Sequence, residues 1–193
     1  MDGFKIIRSN KSAIVSFLAA LFCIIYIKSF HANADYRGII FDADRYQCLA
    51  HKIFNVIVDA NPSPCQIKLQ VSELAFQGPG YPVMLAPFFA FKDFGLAVSN
   101  LQLVLFVLGG FLLFRIIRDN GFGEPAIGTV LYFAYLPLGI YTNYVLTENL
   151  TAFLILLFLY LYTRSGRSQR HKRYAFAIGL SLSLLMLTRP VFQ

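Results

Sequence analysis

Apolar residues along this chain gather into long runs that polar residues scarcely interrupt. Val98 to Phe114 and Pro125 to Thr147 carry no charged residue. A helix needs about 20 such residues to cross the hydrocarbon core of a bilayer. Five stretches read as spans on this basis: 13–30, 98–117, 125–143, 145–163 and 174–192. Between the first two lies a longer polar segment, 31–97, with two patterns inside it. Over 44–58, Tyr46, Leu49, Ala50, Ile53 and Ile57 recur at helical spacing, with Gln47, His51, Lys52 and Asn55 elsewhere. That periodicity predicts an amphipathic helix lying in the membrane interface. Over 80–91, "GYPVMLAPFFAF" is apolar but short, holds Pro82 and Pro87, and runs into Lys92 and Asp93. Length and proline content predict a re-entrant or juxtamembrane helix there, not a crossing. The expected fold is an all-α integral membrane protein with about five transmembrane helices. It forms a single domain over 1–193, with the outer loop 31–97 carrying juxtamembrane helices.

Composition points the same way. Of 193 residues, 57% are hydrophobic and 14% charged, against about 45–50% and 25% in soluble domains. The net charge of +7 does not imply nucleic acid, because the basic residues flank the apolar runs instead of interleaving with aromatics on one polar face. Lys5, Arg8 and Lys11, then Arg115 and Arg118, then Arg164, Arg167, Arg170, Lys172 and Arg173 all share the cytoplasmic side if 80–91 does not cross. The positive-inside rule favours that topology and puts the N-terminus in the cytoplasm. Segment 31–97, the turn at 143–148 and Arg189 then share the outer face. The basic N-terminus, the first apolar run and the A-x-A pattern of Ala32 and Ala34 also fit a cleavable leader, but a retained anchor is the preferred reading for a multi-spanning chain. Cys23 falls in the first span, where a buried free thiol is expected. Cys48 and Cys65 share the outer loop and could pair in an oxidising compartment.

Ionisable residues near a bilayer are expensive, so each one invites a functional question. Glu148 opens the helix "TENLTAFLILLFLYLY", where it is either a first-turn acid with Thr147 as N-cap or a site residue. Arg189, in "LTRP", either snorkels to the interface or holds a phosphate in a polar cavity. His51 has no second ligand at metal spacing and reads as an interfacial polar residue. Asp44 fits an N-cap with Gln47 in the capping-box position. Asp42, two residues earlier, is not explained by capping. In an extended segment it would point the same way as Asp44, and the pair could meet one cation or one acceptor hydroxyl. A low-dielectric setting raises a carboxylate pKa toward that of a general base.

Taken in order, "DADRYQCLAHKI", "FQGPGYPVMLAPFFAF", "LYFAYLPLGIYTNYVL" leading into "TENL", and "LLMLTRP" resemble the GT-C superfamily of membrane glycosyltransferases. The likeness is to the dolichyl-phosphate-mannose protein mannosyltransferase-like and aminoarabinose-transferase-like bacterial enzymes, and it runs through most of the chain. It implies transfer of a sugar from a polyprenyl-phosphate donor to an envelope acceptor, protein or lipid, at the outer face of a bacterial inner membrane. Asp42 would be the base for an inverting attack, with Asp44 the weaker candidate. Arg45, Tyr46, Pro79, Gly80, Tyr81, Glu148 and Arg189 would bind substrate. The D-A-D spacing is similar to the metal-binding D-x-D of nucleotide-sugar enzymes, which sits on soluble α/β domains. A divalent metal stays open as a cofactor and no other is implied. Two departures stand beside the likeness. Relatives often carry Arg or Lys before the proline pair where this chain has Gly78, and they are much longer, so the chain looks like the N-terminal part of such an enzyme. Other readings of the same pattern are a non-catalytic scaffold or degenerate fragment, and another polyprenyl-linked envelope transferase.

Overall fold

The computed structural model of the protein describes residues 2–33, 41–58, 78–167 and 171–189, with the side chains of 2–10, 30–33, 41, 42 and 171 outside that description. Every regular element among the described residues is helical. In chain order these are α1 (Asp2–Asn33), α2 (Phe41–Val58), α3 (Gly80–Leu85) continued by a 3-10 turn (Ala86–Ala90), α4 (Phe94–Asn120), α5 (Pro125–Ala134) and α6 (Leu136–Ile140). A 3-10 turn (Tyr141–Asn143) then leads to α7 (Glu148–Ser165) and α8 (His171–Thr188).

Local chemistry explains the boundaries of the longest of these helices. Asp93 caps α4, its Oδ1 accepting from the Leu96 N–H at 2.9 Å. Gly121 ends it in the left-handed region, φ 70°, with its N–H on Ile117 O, the usual glycine stop. Pro125 then supplies a pre-set φ at the first turn of α5.

Two apolar clusters hold the helices together. Cys23 and Ile27 of α1 pack with Phe106 of α4 and Phe133 of α5, a cluster that a removed leader would leave open. Gly109 and Gly110 make the α4–α5 crossing close, because a Cβ at Gly110 would sit 2.3 Å from Phe133 Cζ. Small residues serve helix contacts in apolar surroundings in this way. The second cluster joins Tyr46 and Ala50 of α2, Tyr81 and Leu85 of α3, Val98 and Leu105 of α4, Leu150 and Leu154 of α7, and Leu185 of α8.

The count of spans is lower than the sequence predicts. Lys11–Ser29 and Phe94–Asn120 are long and apolar enough to cross a membrane. A third span exists only if α5 and the α6 turn count as one, and they are bent by 60° at Tyr135. α7 and α8 have 18 residues each. The polar Glu148, Asn149, Arg164 and Ser165 fall within α7 itself, which shortens its apolar stretch. Residues 80–90 form a short apolar helix. At about 1.5 Å per residue in its α part and about 2.0 Å in its 3-10 part, it extends about 19 Å, short of the roughly 30 Å core.

The helices divide the polar groups between two ends. At one end the Lys28 ammonium donates to Asn100 Oδ1 at 2.7 Å, near α2, α3 and the start of α7. At the other, Arg115, Arg118 and Arg164 surround Asp119.

Candidate functional site

The segment "GPGYP" enters the site through two glycines. Gly78 has φ 55° and a Cβ there would lie 2.4 Å from Leu187 O. A Cβ at Gly80 would lie 2.9 Å from the Leu187 carbonyl carbon. The loop therefore lies directly against the backbone of the last turn of α8, where no larger residue fits. This gives a physical reason for the absence of a basic residue at position 78.

Pro79 takes the N-cap position of α3 and is exposed. Behind it Tyr81 is fully buried. Its ring meets Tyr46 edge-on, with centroids 5.2 Å apart and planes at 87°, a favourable quadrupole arrangement. Its hydroxyl accepts from Gln102 Nε2 at 2.9 Å. Burial pushes the Tyr81 phenol above its ordinary range, and the Glu148 carboxylate and then Tyr46 push it further. Tyr81 is therefore a neutral group at ordinary pH.

Glu148 and Arg189 face each other across the same end. Glu148 opens α7, and Arg189 follows α8, its N–H donating to Leu185 O at 3.1 Å. Glu148 Oε1 lies 3.5 Å from Arg189 Nη2. Glu148 Oε2 and the Thr151 hydroxyl, one turn further along α7, are buried and have no hydrogen-bond partner. Thr147, expected as a side-chain N-cap, is buried but makes no capping bond; its carbonyl accepts from Thr151 N–H at 2.8 Å. Glu148 thus faces the Arg189 cation with one carboxylate oxygen to spare.

α2 begins at or before Phe41, so Asp44 lies inside a helix and not at its N-cap. Positions 42 and 44 are both helical, and residues two apart in a helix do not share a face. The extended-segment convergence of the two carboxylates does not apply. The Asp44 side chain is exposed and Arg45 half-buried. The Asp42 side chain lies outside the described residues. Tyr46 and Ala50 are buried on one face of α2 and Cys48 is buried on another, while Ile57, expected with Tyr46 and Ala50, is 72% exposed together with Val56 and Val58. The His51 ring meets Phe89 edge-on, with centroids 4.8 Å apart. Cys48 is disulfide-bonded and Cys23 is a free, buried thiol; Cys65 lies outside the described residues. Among the described residues no three His, Cys, Asp or Glu side chains gather where a metal ion could sit.

A buried amide network under the site is the feature that sequence reasoning missed. Gln102 of α4, 1% exposed, donates to Tyr81 Oη and to the Tyr144 carbonyl. The Asn149 amide, equally buried, lies 3.2 Å from Gln102 Oε1 and Leu138 O and 3.1 Å from Thr142 N. Thr142 donates to Gly139 O at 2.7 Å. These contacts tie α3, α4, the Tyr141–Asn143 turn and α7 beneath Glu148. The signal was a lone Gln in an uncharged run and an Asn beside Glu148, both costly in an apolar setting unless satisfied.

No family model, curated protein or solved structure matches the chain.

Proposed function

We propose that the protein is a GT-C-type glycosyltransferase, or part of one, that moves a sugar from a polyprenyl-phosphate donor to an envelope acceptor at the outer face of a bacterial inner membrane. One observation carries this reading. Four segments far apart in sequence, "DRY", "PGYP", "TENL" and "LTRP", meet at one end of the helices. Tyr46 packs on Tyr81, Gly78 and Gly80 lie on Leu187, and Glu148 faces Arg189.

In this reading Asp42 is the general base. It removes the acceptor hydroxyl proton as the oxygen attacks the anomeric carbon, and the polyprenyl phosphate departs with inversion. Arg189 replaces the cation that Gly78 cannot supply and steadies the departing phosphate. Arg45 and Tyr46 shape the entrance and Glu148 orients Arg189. An open apolar groove of about 570 Å³ at the start of α4, lined by Phe88, Phe91, Leu96 and Val104 with Lys92 beside them, suits a prenyl tail next to its charged head. The disulfide at Cys48 agrees with an oxidising side for this end. The arginines at the opposite end agree with the cytoplasm.

The test is transfer by membranes holding the full chain, supplied with a radiolabelled polyprenyl-phosphate sugar. Asp42→Asn is expected to lower turnover by about 100-fold or more, with the product of opposite anomeric configuration to the donor. Unchanged turnover in Asp42→Asn removes Asp42 from the base role, and no transfer by the wild-type chain removes the enzyme reading.

A further inference from the structure

At the end away from this site, three arginines from two helices gather round one carboxylate, and a fourth from the turn that follows holds the backbone beside it. Arg115 and Arg118 come from the last turns of α4, and Arg164 and Arg167 from the end of α7 and the turn after it. Asp119 Oδ2 is shared by Arg115 Nη2 at 3.4 Å and Arg164 Nη1 at 3.5 Å, and Oδ1 faces Arg118 Nε at 3.3 Å. Arg167 donates to the Asp119 carbonyl, and to Asn120 Oδ1 at 2.9 Å. Even with Glu124 of the following turn included, arginines outnumber carboxylates two to one.

Three features separate this cluster from a loose run of charges. All three ion pairs are long and share the one Asp119 carboxylate, which does not saturate three guanidinium forks; Arg164 is also hydrogen-bonded to Tyr174, while the Arg115 Nε–H is buried with no partner. Two of the guanidinium groups are held on aromatic rings, Arg118 over Phe114 at 5.6 Å and Arg164 over Tyr160 at 5.9 Å. That lowers the entropy lost on engaging an anion. Finally, the cluster lies where the apolar span of α4 ends at Asn120. Phe122 and Tyr162 stand exposed around it, as aromatic residues do at a bilayer interface. A planar donor fork at headgroup depth matches a phosphodiester.

We propose that the Arg115, Arg118, Arg164 and Arg167 cluster is a binding site for the headgroup of an anionic phospholipid, held in the leaflet at this end of the molecule. The lipid phosphate would take the donors that Asp119 leaves unsatisfied while its acyl chains follow the apolar surfaces of α4 and α7. This site is independent of any transferase activity.

The full-length chain, purified in a neutral detergent, would be titrated with phosphatidylglycerol and with phosphatidylcholine of identical acyl chains, with bound lipid counted by native mass spectrometry. Phosphatidylglycerol is expected to bind at least tenfold more tightly, and each arginine removed should reduce that preference about fivefold. Arg115→Gln with Arg167→Gln should therefore nearly abolish it. Equal binding of the two lipids by the wild-type chain overturns the proposal, as does full preference in the double variant. Inorganic phosphate that displaces phosphatidylglycerol at equal concentration would also overturn it, by reassigning the site to free phosphate. The lipid comparison needs only the wild-type chain, so it decides even where the double variant does not fold.

Discussion

Arg189 Nη2 stands 3.5 Å from Glu148 Oε1, joining the residue after α8 to the first residue of α7. The two side chains are 41% and 28% exposed. Water screens such a pair, and exposed pairs contribute at most about 1 kcal/mol. A double-mutant cycle on unfolding, using Glu148→Gln and Arg189→Gln, should therefore give a coupling below about 1 kcal/mol. The same variants should each lose sugar transfer by about tenfold or more, since charge placed for a phosphate acts where charge develops. A coupling above about 2 kcal/mol with intact transfer would assign the pair to stability.

Gln102 should matter more for stability than either charged residue. It is a neutral side chain, but it is almost fully enclosed and its removal strands the Tyr81 hydroxyl and the Tyr144 carbonyl and takes one partner from the Asn149 amide. A buried polar group left without its partner costs about 1–3 kcal/mol. Gln102→Leu is thus expected to lower unfolding free energy by about 3 kcal/mol or more, measured by denaturation in detergent. A loss under about 1 kcal/mol would mean that water or rearrangement satisfies the network.

Much of the helical order was legible from apolar periodicity: the first span, the long fourth helix, and the short segment at 80–90 all follow from run length and prolines. Asp44 does not cap α2 because the helix already includes Phe41, and residues that cap helices are also tolerated in a first turn. α7 and α8 read as spans because their apolar middles are strong, but Glu148 and Asn149 in the first turn of α7 and Arg164 and Ser165 in its last shorten its apolar stretch. Gly78 shows a different limit. By itself it reads as a missing cation, and only the position of Leu187 O shows that no cation could stand there. Long-range packing of that kind leaves no trace in a single chain's local pattern.

Tyr81 gives a pH signature. Its phenol is pushed up from the ordinary 10.0 by burial, then by Glu148 and Tyr46. Below about pH 10 the phenol is neutral in both folded and unfolded chains, and the folded state carries no penalty. Above it the unfolded chain releases the proton while the folded chain keeps it, so stability falls as pH rises. Unfolding followed between pH 8 and 11 should show this loss in the wild type and a smaller slope in Tyr81→Phe. Identical slopes would place the titration elsewhere.

The short 80–90 helix also leads to a topology prediction that can be measured. If it stays on one side, reporter fusions after Arg118 and after Arg173 share a compartment, and the arginine cluster makes that compartment the cytoplasm. Cytoplasmic activity at both positions is the expected result. Extracytoplasmic activity at both would make 80–90 a crossing segment, in spite of its length.

The contact between Gly78 and Leu187 can be separated from backbone preference by comparing two glycines. Gly78 and Gly121 both have positive φ, 55° and 70°, but a Cβ at Gly121 would meet nothing within 4 Å. Alanine at either position bears the left-handed backbone penalty of about 1–2 kcal/mol. At Gly78 it must also push the Leu187 carbonyl away, and overpacking of that kind costs about 1–3 kcal/mol more. Gly78→Ala should therefore destabilise the protein beyond Gly121→Ala by about 1–3 kcal/mol. Because Arg189 follows Leu187 by only two residues, the same change should displace Arg189 from Glu148 and reduce transfer, which Gly121→Ala should leave unchanged. Equal effects of the two substitutions on stability and on transfer would show that the loop does not lean on α8, and the meeting of "PGYP" with "LTRP" would lose its support.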